Sequence, residues 1–409
     1  MPILYHVEKT CENNLKKIMD APSVIKRNKD DIAAFYQRLT AESVSPFRRK
    51  QYLYILTKIL ALNKKAFRDY TDADFTKVLS YFETHKMKNG KPYSEHVKKE
   101  GKVTIKKFWK FLLGSEFNPM RFAWMRSAIS RRKIVRLQPE DMITYTEMSA
   151  ILKAASPMMQ ALFSAAFETG ARPSELLSLR YMDIVVVSEG GQQYAKLNIR
   201  ESKSEPRTVP VVRLFGFLKA WLDLHPLKKP ESPLFPSSYR GMMSGNFMTV
   251  EGYNKALKQC AKEAGIKKQK ITPYVLRHSA ISRMVSEGWG ETIIKQISGH
   301  SLNSKQFDVY VHLASKQKEE YALHKALEAE GKAIAENEEL PYTLCNACKG
   351  RNPITNNFCQ QCSRPISVTA INQEEIKKQS KMEELENRMG ELEEFVKLLP
   401  QLRKMAKTA

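Results

Sequence analysis

Apolar residues recur at helical spacing along most of the chain, and the breaks in that period divide it into segments. Residues 31–39 carry Ile32, Phe35 and Leu39 on one face, and residues 48–62 repeat the pattern with Tyr52, Ile55, Leu56, Ile59 and Leu60. Thr71 followed by Asp74 is a capping-box-like start for a helix through Tyr81, and residues 96–113 turn Val103, Phe108, Phe111 and Leu112 inward. Four short helices are therefore expected up to residue 113, with residues 1–22 peripheral to them. A second series opens at Thr144-Tyr145-Thr146-Glu147, another capping box, and Pro157 separates its helix from the next, over 158–167. Alternation with period two then predicts strands over 183–188 and 194–199, joined through Gly190-Gly191, and a third over 208–212. Helical spacing returns over 250–264, from Pro273 to a stop at Gly288, over 291–298 and over 315–330, where Tyr321, Leu323 and Leu327 share a side. The expected fold class is mainly α with a small antiparallel β-sheet, an α+β arrangement.

The last periodic stretch has a different period. Met382, Leu385, Met389, Leu392, Val396 and Leu399 follow an a/d heptad for three repeats, with Pro400 expected to end it. Lys381 and Arg388 at g would face Glu386 and Glu393 at e of a parallel partner. An amphipathic helix packed on its own protein fits the same pattern, and the sequence leaves both readings open.

Charge adds a partner to this picture. The formal net charge is +23, and residues 1–136 alone hold 30 Lys and Arg against 13 Asp and Glu, an excess of 17. Such an imbalance points to a polyanion. Lys98, Lys99, Lys102, Lys106 and Lys107 flank the apolar stripe of one helix, and Arg131, Arg132 and Lys133 lie in the basic connection 126–136. The connection reads as a solvated linker, as a phosphate-binding one, or as both. At 409 residues the chain has room for two to three domains, and no run of 18 apolar residues or secretory pattern occurs, so it reads as cytoplasmic.

Two C-x-x-C pairs, Cys345/Cys348 and Cys359/Cys362, stand ten residues apart. That spacing predicts one structural, tetrahedral Zn²⁺, with a disulfide pairing as the alternative. Four thiolates close the coordination sphere, so this metal is not expected to catalyse. Cys11 and Cys260 read as ordinary thiols.

The candidate chemistry lies in three short stretches. Thr169-Gly170-Ala171-Arg172-Pro173-Ser174-Glu175-Leu176 comes first, Tyr274-x-x-Arg277-His278 about 100 residues later, and Ser298-Gly299-His300 is followed by Tyr310-Val311-His312-Leu313. These boxes resemble those of tyrosine recombinases, the phage integrase and Xer family, and the cysteine ribbon points toward an archaeal or mobile-element member. Two departures stand out: Tyr274 replaces the first histidine of its box, and the gap from His300 to Tyr310 is one residue longer than expected.

The resemblance implies a core-binding, SAM-like helical domain over 1–125, a linker over 126–140 and a catalytic domain over 141–331. A zinc ribbon over 341–368 and a helix or coiled coil over 372–400 would follow. It implies a site-specific recombinase or integrase that cleaves and rejoins duplex DNA through a 3′-phosphotyrosyl intermediate, without a nucleotide or a catalytic metal. Tyr310 would attack, and Arg172 and Arg277 would clamp the non-bridging oxygens. Lys203, in the turn before Arg207-Thr208-Val209-Pro210, would protonate the leaving 5′-oxygen. His300 would position the phosphate or take the Tyr310 proton, and Tyr274 would donate one hydrogen bond. Glu175 would support Arg172 or His278, and His278 is read equally as a structural histidine. Tyr274 and Tyr321 are the rival nucleophiles. The family also implies a homo-oligomer, a dimer on one site and a tetramer at synapsis, associated with the nucleoid, whose tail helix can pack on a neighbouring protomer. A catalytically inactive DNA-binding homologue and a type IB topoisomerase-like relaxase are the alternatives.

Overall fold

A computed structural model describes residues 2–87, 90–127, 137–190, 192–202, 205–239, 242–304, 307, 309–310 and 340–405. The chain divides into two compact units, Met1–Leu137 and Gln138–Ala409. Mostly helical, with small antiparallel sheets, the fold is of the expected α+β class. No helix among the described residues is long and apolar enough to cross a membrane.

The first unit contains five α-helices among its described residues: α1 (Pro2–Asp20), α2 (Lys26–Ala41), α3 (Pro46–Leu62), α4 (Asp72–Thr84) and α5 (Glu95–Leu113). Its core is aromatic. Phe108 meets Phe35 and Phe67 edge-on at 5.0 and 4.9 Å, and Trp109 meets Phe75 at 4.9 Å while its indole N–H donates to the Phe67 carbonyl at 3.2 Å. The Thr71/Asp74 capping box forms as read. Residues 1–22 are not peripheral. Val7, Cys11 and Ile18 of α1 are buried in this core, and the Cys11 thiol donates to the Pro46 carbonyl at 3.3 Å. Val7, Cys11, Leu15 and Ile18 recur at steps of four, four and three, a helical period that supplies this buried face; the pair of the buried Arg49 with the half-buried Glu8 at 2.8 Å adds a polar tie that periodicity does not register.

The second unit is organised around α7 (Pro157–Thr169), which is buried on nearly every side. Around it stand α6 (Tyr145–Lys153), the short α8 (Pro173–Leu177), α9 (Phe215–Leu224), α10 (Val250–Glu263), α11 (Pro273–Ser286) and α12 (Glu291–Ser298). Strands β1 (Ile184–Glu189), β2 (Gln192–Ile199) and β3 (Arg207–Val211) form an antiparallel sheet in that order, with Leu197 opposite both Ile184 and Val209. Ala195, Leu197 and Ile199 of β2, with Val209 and Val211 of β3, alternate inward and are buried. A hairpin of β4 (Pro236–Tyr239) and β5 (Met242–Phe247) follows α9; neither carries a clean period-two pattern, and neither the hairpin nor α9 was expected from sequence.

The ribbon, β6 (Tyr342–Leu344) and β7 (Arg351–Pro353) with its two knuckles, packs against α9. A Cβ on Gly216 would overlap the Pro353 ring, and Gln360 Nε2 donates to the Gly216 carbonyl at 3.2 Å. The absence of a side chain at Gly216 is what lets the ribbon seat there. The last helix, α13, runs from Val368 to Met405. It starts before residue 372 and continues through Pro400, which removes one amide donor from a 38-residue ladder without ending it.

Candidate active site

Three helix ends converge to build the site. Gly170, left-handed with φ +62°, ends α7 and passes the chain to Arg172 at the N-cap of α8. Helix α11 begins at the Thr272 cap and Pro273 and carries Arg277 and His278 one turn in. Helix α12 ends at Gly299, also left-handed, which delivers His300.

Glu175 is the anchor. Almost wholly buried, it accepts from the Arg172 amide at 2.8 Å, from Arg172 Nη1 at 2.7 Å, from Arg207 Nη2 at 2.7 Å and from the Ser202 hydroxyl at 2.6 Å. Burial raises its pKa, but the hydrogen bonds and charge of Arg207, with Ser202 and Arg172, outweigh it and hold the carboxyl down at about 2. It stays ionised and fixes two guanidiniums. It does so for Arg172 and Arg207, and no hydrogen bond joins it to His278 among the described residues.

The second fixed cation is Arg277, whose Nη1 donates to the Gly170 and Ser298 carbonyls, both at 2.7 Å. Its Nη2 lies 3.2 Å from Nε2 and 3.3 Å from Nδ1 of His300. Arg172 Nη2 donates to the Gly299 carbonyl at 2.6 Å, so both arginines are tied to the same α12 terminus. The Arg207 Nε donates to the Ile297 carbonyl at 2.9 Å. A Cβ at Gly299 would sit 2.5 Å from the Arg207 guanidinium carbon, so a close approach as well as a positive φ requires glycine there.

His300 is neutral. Burial, followed by the charges of Arg277 and Arg172, pulls its pKa down to about 4. The Ser298 hydroxyl lies 2.6 Å from the Ile294 carbonyl, to which it donates, and 2.8 Å from His300 Nδ1. With its proton so committed, Ser298 accepts from Nδ1–H, which assigns the tautomer and leaves the Nε2 lone pair facing Tyr310 at 3.4 Å.

The Tyr310 ring is 4% exposed and packs against Ile281, Met284, Ile294 and Phe307, 5.5 Å from His300 and 5.2 Å from His278. Burial raises its pKa, partly offset by Arg277 and Arg172. The turn closed by Ser304 N–H on the Ser301 carbonyl, at 2.9 Å, lies in the longer His300–Tyr310 gap, and the ring still reaches the histidine.

Arg172, Arg277, His300 and Tyr310 thus meet in one cluster, far apart in sequence and built on three helix termini. A family model described as the phage integrase family matches residues 141–317, the segment that contains all four. The chain carries a phage integrase family domain. It is 25% identical over 242 residues to a tyrosine recombinase XerD of Rickettsia bellii, covering 55% of this chain and 75% of that protein. With a XerD of Caulobacter vibrioides the figures are 26% over 263 residues, 60% of this chain and 79% of the other. A solved lambda integrase dimer bound to a COC′ core site superposes with a TM-score of 0.51 at 15% identity, covering 71% of this chain and 76% of that one; at that identity the likeness is one of fold.

Other residues of this chain fall differently. Tyr274 is 54% exposed on the first turn of α11 and makes no hydrogen bond to the cluster among the described residues. His278 is largely buried, its Nδ1 has no hydrogen-bond partner among the described residues, and burial followed by the Arg277 charge pulls its pKa to about 4. Lys203, Arg131, Arg132, Lys133 and the 315–330 segment with Tyr321 lie outside the described residues. On α5, Lys98 pairs with Glu83 and Glu95, each at 2.9 Å, Lys102 with Glu83 at 3.4 Å and Lys107 with Glu42 at 2.9 Å. Lys99 and Lys106 make no ion pair among the described residues. Arg207, Ser202 and Ser298 were not singled out for roles from sequence; Arg207-Thr208-Val209-Pro210 was the signal for the first.

The four ribbon thiols form a second centre. Their Sγ atoms all lie within 4.8 Å of one another, with Cys345 to Cys362 at 3.6 Å and Cys348 to Cys359 at 3.5 Å. Tetrahedral bonds of about 2.3 Å would set sulfurs roughly 3.8 Å apart, so the cluster fits one metal ion. Lys349 and Ser363, both with φ near +60°, turn the two knuckles, and the Gln361 amide donates to Cys359 Sγ at 3.4 Å. All six cysteines are free thiols.

Proposed function

We propose that this protein cleaves and rejoins duplex DNA at specific sites through a 3′-phosphotyrosyl intermediate, with Tyr310 as nucleophile. The observation that carries the reading is the Tyr310 hydroxyl at 3.4 Å from His300 Nε2, beside two guanidiniums held in place by other groups. Tyr310 Oη attacks the phosphorus, the 5′-oxygen leaves, and the phosphodiester energy is kept in the new ester, so no nucleotide is needed to reseal. Arg172 and Arg277 take the two non-bridging oxygens, stabilising the charge that grows on the pentacoordinate phosphorus.

His300 is a weak base in the resting site, being held near pKa 4 by burial and the arginine charges. A bound phosphodiester would bring negative charge against those guanidiniums, raise the basicity of His300 and let it take the Tyr310 proton through Nε2. Lys203, on the family resemblance, protonates the leaving 5′-oxygen. Tyr274, exposed one turn before Arg277, is available to donate a hydrogen bond to a phosphate but not to add a positive charge there. His278 buttresses the Tyr310 ring.

The first unit would supply the grip on the duplex, through the charge excess and Lys99 and Lys106 above all. Cys345, Cys348, Cys359 and Cys362 would hold one Zn²⁺, which supplies structure only, since four thiolates leave it no open position. The protein would act as a homo-oligomer in the cytoplasm.

Nicked suicide substrates, which lose the 5′-hydroxyl fragment after cleavage, test the reaction. A covalent protein–DNA band that depends on a particular site supports the proposal. Relaxation of any supercoiled plasmid with no site preference would favour the topoisomerase-like alternative instead, and no adduct on any substrate would favour the inactive one.

A further inference from the structure

Helix α13 leaves the body of its own unit soon after it starts. Ala370 is buried and Ile371 half-buried, but every residue from 375 to 386 is exposed. Met382, Leu385 and Met389 are 62%, 49% and 61% exposed, three large apolar side chains along one stripe of a free helix. That observation counts against one of the two readings of the heptads, because among the described residues Met382, Leu385 and Met389 of the stripe do not pack on their own protein. At 1.5 Å per residue the first of these lies roughly 20 Å along the helix from Val368, far enough out for another helix to lie alongside.

We propose that α13 pairs in parallel with α13 of a second copy of this chain, as a two-stranded coiled coil over 382–399. The a positions are Met382, Met389 and Val396, and every d position, Leu385, Leu392 and Leu399, is leucine, the choice that suits two strands. The flanking charges select both partner and direction. In a parallel homodimer Lys381 at g faces Glu386 at e of the other copy, and Arg388 faces Glu393, giving two attractive pairs on each side. An antiparallel homodimer would set g against g and e against e, basic on basic and acidic on acidic. The sequence of one helix is therefore complementary to itself only when the two run the same way. Three heptads make a weak zipper, so it holds two protomers in a reversible pair before any DNA is bound. A parallel coil joins them about a two-fold axis at the ribbon end.

Sedimentation equilibrium of the full chain without DNA tests this, and its outcome does not depend on the recombinase reading. The wild type forms dimers of twice 47.0 kDa at tens of micromolar. Leu385→Lys with Leu392→Lys weakens the dimer by at least about 100-fold while the circular dichroism melt of the body is unchanged. Lys381→Glu with Arg388→Glu also gives monomer, and adding Glu386→Lys and Glu393→Lys to that chain restores the dimer. A monomeric wild type, a dimer that survives the two lysines, or a four-fold charge reversal that stays monomeric would each overturn the proposal.

Discussion

The Glu175 carboxylate is shared between Arg172, three residues along the same turn, and Arg207, which arrives from β3, at 2.7 Å from each. One buried anion thus sets the direction of an arginine in the Tyr310 cluster and of a second arginine behind it. Glu175→Gln keeps the shape and removes the charge, leaving both guanidiniums without their counter-ion. A loss of about 3–5 kcal/mol in stability is expected from breaking such a buried pair. Because the folded pKa is near 2, below the ordinary carboxylate value, the contribution is complete above about pH 4.5 and is lost as pH falls toward 2. Thermal melts of wild type and variant should therefore differ most at neutral pH and converge in acid; a gap independent of pH would contradict the charge argument.

The same network explains the requirement at Gly299. Gly299→Ala drives a methyl into the Arg207 guanidinium and strains a residue at φ +71°. The strain costs about 1 kcal/mol or more, and the displaced Arg207 releases Glu175. Cleavage of a suicide substrate should fall more than overall stability does. A variant with wild-type cleavage would show that Arg207 has no positioning role.

Of this site, the four clustered residues were legible because each lies in a short local motif: Arg172 after a glycine turn, Arg277 beside a histidine on one helix, His300 after a glycine cap, and Tyr310 at the head of Tyr-Val-His-Leu. What those motifs do not encode is which groups hold them. Arg207 and Ser298 act through contacts with Glu175, Ile297 and His300 that form only when separate segments meet. The longer gap before Tyr310 was legible together with a loop able to absorb it, Ser301-Leu302-Asn303-Ser304, and the turn found there agrees; that the ring still arrives at the histidine is what the structure adds. In the fold, strong helical periods gave most elements of both units; α1 has one too, in Val7, Cys11, Leu15 and Ile18, but a period alone does not show what that face packs on, so the segment reads as peripheral. The α9 surface under the ribbon is invisible in sequence, because a glycine matched to a distant proline leaves no periodic trace.

Histidine titration separates a neutral resting site from a charged one. Of the eight histidines, His278 and His300 should titrate well below the ordinary 6.5, near 4, when followed by NMR of ring-labelled protein. Their depressed values also mean that the fold loses stability as pH falls from about 6.5 toward 4, where the unfolded chain binds protons that these sites refuse. Addition of a phosphate-like oxyanion such as vanadate should raise the His300 value and leave those of surface histidines alone. A His300 resonance already titrating near 6.5 without an anion would contradict the proposed electrostatics.

The ribbon should carry about one Zn²⁺ per chain when purified under reducing conditions, and a chelator should unfold it. Gly216→Ala should undock it, seen as new protease cleavage between residues 340 and 368 with zinc still bound. Metal analysis that finds no zinc would remove the site, and an unchanged cleavage pattern would remove the docking contact.

Tyr310→Phe tests the central claim most directly. The substitution deletes one oxygen from a ring whose packing against Ile281, Met284 and Ile294 is unchanged, so folding and DNA binding should survive. The measurement is the covalent adduct on a nicked suicide substrate, with the linked peptide mapped by mass spectrometry. The wild type should give an adduct mapped to Tyr310, Tyr274→Phe a slower one at the same residue, and Tyr310→Phe none. An adduct that persists in Tyr310→Phe, or a peptide that maps to Tyr274 or Tyr321, would contradict the account.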